Sequence, residues 1–227
     1  LMEMGGKVEH QLQNAIKSVA KIDSAMAEQV IRQERQVDEM ERDIDEACIL
    51  IIARRQPTAT DLRLIMMVSK AVNDLERIGD EAKKIANHAI ILAEQEGPSK
   101  GYTEVRHLGK SVISMLASAL DAFARFDVEA AMRTLKEDQQ IDLDYKTALR
   151  ELVTYMMEDP RNITGYIHIL FIAKNVERIG DHATNIAEMV HLIVTGEPFN
   201  KVRPTGDDTS DQLIRPADRD KPAGAND

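Results

Sequence analysis

Two pairs of acidic residues with the same spacing are the clearest chemical feature of the sequence. Glu76 and Asp80 lie four residues apart, and Glu177 and Asp181 repeat that spacing within an identical string, Glu-Arg-Ile-Gly-Asp. Side chains four residues apart on an α-helix lie about one turn apart on the same face. Carboxylate oxygens are ligands of hard cations such as Mg²⁺, Ca²⁺ and Mn²⁺, and carboxylates also bridge iron. Each pair is therefore a candidate half of a metal site.

A second line of acids precedes each pair in the sequence. Like charges at this spacing destabilise a helix by about 0.2–0.5 kcal/mol per pair, so their repetition indicates that a cation balances them. If neighbouring helices are antiparallel, each repeat brings four carboxylates to one groove. The predicted metal ligands are Glu34, Asp38, Glu76 and Asp80 in one groove, and Asp138, Asp142, Glu177 and Asp181 in the other.

The alternative interpretation of these acids is a solvated charged face. In that case Arg77 and Arg178 neutralise the acids of their own helices without any metal. Gly79 and Gly180, next to the second acid of each pair, are also ambiguous, because glycine inside a helix costs about 0.8–1 kcal/mol relative to alanine. Either a neighbouring helix packs closely there, or the missing side chain leaves room for a ligand or a metal-bound water.

The elements that must position these acids are long helices, and we predict an all-α protein. No proline interrupts an apolar stripe, so the helices run unbroken between the prolines. Asp23 provides N-cap chemistry, Thr58 and Asp61 resemble a capping box, and Gly196 is a C-terminal stop. The periodicity predicts helices ending at about residue 22 and spanning about 24–55, 58–96, 103–126, 127–158 and 163–195.

Apolar spacing predicts which faces are buried. In the third helix, at about 100° per residue, Glu76 and Asp80 point roughly opposite the apolar stripe, so we expect both to be reachable from solvent. Cys48, at the edge of the second helix's apolar face, is predicted to be a core residue. The predicted buried stripe of the second helix is Val37, Met40, Ile44, Ala47 and Ile51.

The six predicted helices are one three-helix unit written twice. Asp23 recurs as Asp127 at a shift of 104 residues, and the Glu-Arg-Ile-Gly-Asp string recurs at a shift of 101. We therefore predict a first three-helix repeat at 1–97 and a second at 98–196. Residues 197–227 lack periodicity and are rich in Pro, Gly, Asp and Arg, which predicts a flexible C-terminal tail.

Composition excludes several classes of protein. The chain has 227 residues, 43% of them hydrophobic, which is enough for a core and argues against global disorder. A net charge of −10 and 4% aromatic residues argue against general nucleic-acid binding. No apolar run approaches the roughly 18–20 residues of a membrane span, we find no secretory signal, and there is one cysteine. We predict a cytoplasmic protein.

Several strings resemble the PhoU family of phosphate-transport accessory proteins. The resemblance covers about residues 5–198. It implies two three-helix bundles related by a pseudo-twofold axis, with an E/DxxxD motif in each repeat that holds divalent or trivalent metal ions, of which Fe, Zn, Mn, Mg and Ca remain open. The strings are the two Glu-Arg-Ile-Gly-Asp segments, Asp45-Glu46-Ala47-Cys48 before Arg54-Arg55-Gln56-Pro57-Thr58, and Tyr155-Met156-Met157-Glu158-Asp159.

The resemblance also implies a function. Members of the family restrain the phosphate-starvation response when phosphate is plentiful, through contacts with the sensor histidine kinase PhoR and the transporter ATPase PstB. We accordingly expect a regulatory adaptor that reaches the membrane only through partners, and the long exposed helices lead us to expect a homodimer. Lys84 stands where the second repeat has Asn185, so we expect the first groove to bind metal less well than the second.

Two other functions remain open. A carboxylate-bridged metalloenzyme needs a Glu-x-x-His motif from each of two helices, and Glu104–His107 and Glu188–His191 have that form. However, the start of the fourth helix and the end of the sixth should lie at opposite ends of a bundle. A metal or phosphate buffer is the other alternative, although bare carboxylates repel phosphate. With no phosphate loop or catalytic triad, the sequence favours a non-enzymatic adaptor.

Overall fold

Six α-helices make up almost all of the fold. A computed structural model describes residues 1–95 and 97–199, and within those ranges it contains no strand. This confirms the all-α prediction, and each helix ends within about two residues of its predicted position. The elements are α1 Met2–Lys21, α2 Ser24–Arg55, α3 Ala59–Glu94, α4 Tyr102–Arg125, α5 Val128–Glu158, a 3₁₀ turn at Pro160–Asn162, and α6 Ile163–Thr195.

The helices pack as two three-helix bundles, α1–α3 and α4–α6, as predicted. The bundles meet through α3 against α6 and α1 against α4, whereas α2 and α5 pack only within their own bundles. Along α3, Asp74 contacts His182 and His88 contacts His168, so α3 and α6 run antiparallel. The predicted flexible tail lies outside the described residues from position 200 onward.

Local capping explains where the helices start and stop. Asp23 Oδ1 accepts a hydrogen bond from the Met26 amide at 3.0 Å, which confirms the predicted N-cap. Gly196, with φ of 81°, ends α6 in the left-handed conformation that glycine tolerates. The predicted capping box is wrong, because the Thr58 hydroxyl donates to Asp61 Oδ2 at 3.3 Å and caps no backbone amide.

The buried stripe predicted for α2 is only partly right. Val37 and Cys48 are buried, but Ala47 is exposed and Ile51 is 45% exposed. The cause is unequal helix length: α2 has 32 residues and α1 has 20, so α2 is longer by about 18 Å at 1.5 Å per residue. The far half of α2 therefore extends past α1, and α1 does not cover its apolar side there, whereas the same part of α3 still packs against α6.

The two motif glycines differ in their surroundings. A Cβ atom on Gly79 would lie 3.3 Å from Val37 Cγ1 and 3.4 Å from Gln11 Oε1, so α1 and α2 pack closely against α3 there. A Cβ atom on Gly180 would meet Ile141 Cγ2 at 3.6 Å, an ordinary van der Waals contact. Close packing explains Gly79, while the site of Gly180 has room for a methyl group.

Gly180→Ala should stabilise the protein, because alanine is favoured over glycine in a helix by roughly 0.8–1 kcal/mol. Gly79→Ala should gain less or lose stability, since Val37 has to move. Urea unfolding followed by circular dichroism measures both free energies of unfolding. A Gly180→Ala variant less stable than the unmodified chain would contradict the packing described here.

Candidate acidic grooves and the polar face between the repeats

The first groove lies between α2 and α3 and contains its four predicted acids, three of which influence one another while Glu34 pairs with a lysine. Burial raises the pKa of Glu76, and the neighbouring carboxylate of Asp80 raises it further. Glu41 and Asp38 of α2 act in the same direction, while Arg77 opposes them. The two motif acids were predicted to be reachable from solvent, and their side chains are 15% exposed for Glu76 and 29% for Asp80, so Glu76 is more covered than expected. Glu41 joins the group, although it was not among the predicted ligands.

Glu34, the fourth predicted acid of this groove, is paired with a lysine. Lys83 Nζ donates to Glu34 Oε1 at 2.7 Å, and this hydrogen bond raises the pKa of Lys83. Lys84, predicted to be the interfering cation, instead lies 2.9 Å from Glu81 Oε1. The two lysines are adjacent, so they differ by about 100° around α3. Packing of α3 on α2 selects Lys83 as the cation of the first groove.

Arg77 supports the alternative of intrahelical neutralisation in the first repeat. Its Nε lies 3.4 Å from Glu76 Oε2, and its NH1 lies 3.9 Å from Asp80 Oδ2. The equivalent Arg178 behaves differently, because its NH1 lies 3.3 Å from Glu81 Oε1 on α3. The two copies of the motif therefore share a sequence but not an ion-pairing pattern.

The second groove, between α5 and α6, brings together all four of its predicted acids. Burial raises the pKa of Asp142, and Asp138 and Asp181 raise it further. Burial also raises the pKa of Glu177, against the effect of Lys174, whose Nζ donates to Glu177 Oε1 at 3.2 Å. Since each groove contains a lysine, the preference for the second groove remains a prediction, and Lys84 is not a reason for it.

The carboxylate oxygens of the grooves are suitable metal ligands, but they do not converge on one point. The Oε2 atoms of Glu76 and Glu177 are buried and accept no hydrogen bond. Within residues 1–95 and 97–199, however, no three or more His, Cys, Asp or Glu side chains are arranged to hold one metal ion. The acids are close enough to raise one another's pKa values without forming a preformed coordination sphere.

A polar face between the repeats was missed by the sequence analysis. Asp74 Oδ1 accepts hydrogen bonds from His182 Nδ1 at 2.7 Å and from Asn185 Nδ2 at 3.0 Å. Asp74 and Asn185 also line a cavity of about 500 Å³ between α2, α3 and α6. The sequence contains one indication of this polar face: at the shift of 101 residues Asp74 corresponds to Asn175, so the two repeats differ at that position.

The two Glu-x-x-His strings do not share a site. Glu104 Oε1 accepts a hydrogen bond from the Tyr155 hydroxyl at 3.0 Å, which raises the pKa of Tyr155 to about 12. Glu188 lines the cavity beside Asp45 and Ser69, at the opposite end of the second bundle. This arrangement agrees with the argument against a dinuclear enzyme centre.

Comparison with known proteins decides the family. A model of the PhoU domain matches residues 1–89 and 105–190. The chain belongs to the PhoU family.

PhoU relatives cover nearly the whole chain. It is 54% identical over 196 residues to a phosphate-specific transport system accessory protein PhoU homolog of Pseudomonas aeruginosa, covering 86% of this chain and 81% of that protein. It is 45% identical over 222 residues to the phosphate-specific transport system accessory protein PhoU of Escherichia coli K12, covering 97% and 90%. These PhoU proteins are named as accessory proteins and not as enzymes, as predicted for this chain.

Solved PhoU structures have the same fold. The crystal structure of PhoU from Pseudomonas aeruginosa gives a TM-score of 0.84 at 53% identity, covering 86% of this chain and 93% of that one. The crystal structure of the phosphate transport system regulatory protein PhoU from Streptococcus pneumoniae gives a TM-score of 0.81 at 28% identity, covering 88% of this chain and 94% of that one.

Within the described ranges, no helix combines the length and apolarity that a membrane span requires.

Both helical hairpins of this PhoU-family chain end in exposed apolar side chains. We call these surfaces the first and second apolar tips. Met157 of the second tip is 78% exposed, and Ile49 of the first is 66% exposed. The first tip consists of Ile49, Leu50, Ile51, Leu62 and Met66, and the second of Val153, Met157, Ile163, Ile167 and Phe171.

The buried carboxylate of Glu177 should make stability depend on pH. Because its pKa is raised above the ordinary value of 4.5 in the folded protein, the folded state binds more protons than the unfolded state above that pH. Stability therefore falls as pH rises from that value through the raised pKa of the folded state. Glu177→Gln should flatten this fall and raise the melting temperature at neutral pH by about 2–4 °C. Calorimetry at a series of pH values from acidic to neutral measures the melting temperatures of both proteins. If the pH dependence of stability is the same in Glu177→Gln, burial of the Glu177 carboxylate does not destabilise the folded protein.

Proposed function

We propose that this PhoU-family chain is a regulatory adaptor of phosphate transport. It restrains the phosphate-starvation response when phosphate is plentiful, and it modulates phosphate uptake. It acts in the cytoplasm by contacting the sensor histidine kinase PhoR and the transporter ATPase PstB, and it has no nucleic-acid partner. Support comes from the names of its relatives, accessory and regulatory proteins of phosphate transport, and from its unpaired apolar surfaces.

The observation that carries this proposal is the pair of apolar tips. Contiguous exposed apolar surface bordered by polar residues is typical of protein–protein interaction sites. The tips occupy equivalent places in the repeats: Met66 corresponds to Ile167 at the shift of 101 residues, and Ile49 corresponds to Val153 at the shift of 104. Because α3 and α6 are antiparallel, the tips lie at opposite ends of the molecule. One chain therefore offers two separate docking surfaces, which suits an adaptor.

The same surfaces support a homodimer. Two copies joined through one tip leave the other tip of each copy open for a partner. Light scattering of the purified chain tests this directly. A monomer at all concentrations would remove the dimer from the proposal without affecting the partner contacts.

Substitution within one tip should weaken partner binding. We expect Ile49→Ser with Leu62→Ser, or Met157→Ser with Ile167→Ser, to reduce retention of PstB or of the cytoplasmic part of PhoR by at least about tenfold, the loss expected for roughly 1.4 kcal/mol. Pull-down with purified partners measures it. Leu143→Ser is the matched control, because Leu143 is 57% exposed on α5 outside both tips. Unchanged binding of both partners by both double variants would refute the role of the tips.

We also propose that the acidic grooves bind metal ions. Support comes from the raised pKa values of Glu76, Asp142 and Glu177, since a cation would lower the cost of crowding these carboxylates. The buried Oε2 atoms of Glu76 and Glu177 also accept no hydrogen bond, although each lies within ion-pair distance of a cationic side chain. The ligands would be the predicted acids, with Lys83 moving away from Glu34 in the first groove. All-oxygen ligation favours Mg, Ca or Mn, and Fe or Zn is implied by the family resemblance.

Metal analysis of matched variants tests the two grooves separately. After loading with Mn²⁺ and desalting, Glu76→Gln with Asp80→Asn and Glu177→Gln with Asp181→Asn should each lose the metal of one groove, about half of the total. Glu28→Gln is the control, because Glu28 is exposed and pairs with Arg32 away from both grooves. Equal metal content in all variants would refute the assigned ligands. If the chain is instead a metal or phosphate buffer, the unmodified protein should bind metal but neither PhoR nor PstB.

A further inference from the structure

Two histidines outside the acidic grooves meet across the boundary between the repeats. His88 of α3 and His168 of α6 are both partly buried, and their Nδ1 atoms are 3.0 Å apart. The ring centroids are 5.2 Å apart, with the planes inclined by 47°. Phe171 stacks on His88 at 5.6 Å between centroids and 15° between planes, which holds the His88 ring in place. Eighty positions separate the two histidines in sequence, so no local motif marks them.

The separation of the two nitrogens suits joint coordination of one metal ion. Imidazole nitrogens bind divalent transition metals at about 2.0–2.1 Å. Two such nitrogens at a right angle are then about 2.8–3.0 Å apart, whereas at a tetrahedral angle they are about 3.3–3.4 Å apart. The observed 3.0 Å matches the right angle. Tetragonal nitrogen and oxygen sites with right angles are typical of Cu(II) and Ni(II).

The surroundings of His88 favour a neutral imidazole with an available lone pair. Burial lowers the pKa of His88, and the neighbouring His168 ring lowers it further. His88 is therefore uncharged at neutral pH, the form that binds metal. Lys84, one turn before His88, has its charge balanced by Glu81 at 2.9 Å. Without metal, the same geometry allows one Nδ1–H to donate to the other Nδ1, so a proton and a metal ion compete for the same lone pairs.

We propose that His88 and His168 form a two-histidine site for a divalent transition metal of the Cu(II) or Ni(II) type, which links the two repeats. The site belongs to neither acidic groove, because its ligands are nitrogens on the α3–α6 boundary, and Phe171 of the second apolar tip stacks on one of its rings. Water completes the coordination, since the described residues contain no third His, Cys, Asp or Glu grouped with this pair. A bound ion joins α3 to α6 directly and so stabilises the folded chain.

Titration of the full, untagged and EDTA-treated chain with Ni²⁺ tests the proposal. We expect one equivalent to bind with a rise in melting temperature, and at least about tenfold weaker binding in His88→Gln and in His168→Gln. His107→Gln is the matched control, because His107 is exposed on α4. Glu177→Gln with Asp181→Asn should keep this equivalent, which separates the site from the grooves. Equal Ni²⁺ binding by the unmodified chain and His168→Gln would overturn the proposal.

A second measurement does not depend on how the variants fold. Electron paramagnetic resonance of the unmodified chain with one equivalent of Cu²⁺ should show coupling to two equivalent imidazole nitrogens. A spectrum with one nitrogen or none would mean that the two rings form only a hydrogen bond, and it would overturn the proposal. Loss of the two-nitrogen signal in His107→Gln would do the same, because it would place the ion elsewhere.

Discussion

The antiparallel packing of α3 against α6 is the interaction on which the rest of the molecule depends. It joins the two bundles and places polar side chains of one repeat against those of the other. Glu81, whose side chain is 2% exposed, lies 3.3 Å from Arg178 across this boundary. A carboxylate buried to that extent is costly unless it is paired, so this ion pair ties the register of α3 to that of α6. The same register brings Asp74 to His182 and His88 to His168.

Divergence between the repeats changes the electrostatics of the grooves while the repeated motif stays the same. In the first groove the lysine neutralises an acid of α2, and in the second it neutralises the motif glutamate of α6. Lys83 corresponds to Thr184, which lies 3.2 Å from Asp138 at the equivalent place. The two grooves therefore hold similar acids but differ in where positive charge approaches them. Sites duplicated in sequence need not have equal affinities for a cation.

Helix length decides what the molecule presents to other proteins. Where α1 and α4 run alongside, the apolar stripes of their bundles are covered. Beyond α1 the apolar side of α2 is not covered, so Ile51 stays exposed although it belongs to an apolar stretch. The stripe predicted for α2 was wrong for this reason, because periodicity identifies an apolar face without showing how far a third helix extends along it. Met157 is exposed for another reason, since α4 reaches its neighbour Tyr155 through Glu104 and Met157 lies on the outer side of α5. The exposed ends are then available to partners.

The helices, two of their caps and the repeated acidic motif could be read from the amino-acid sequence, because these features depend on residues within a few positions of one another. Asp23 and Gly196 mark helix ends through a local hydrogen bond and a local backbone conformation. The two acids of each repeated motif lie four residues apart and therefore share one face of their helix. By contrast, packing between helices places Lys83 rather than Lys84 in the first groove. It also decided that His88 meets His168, because helix rotation and register are set by packing between segments far apart in the chain.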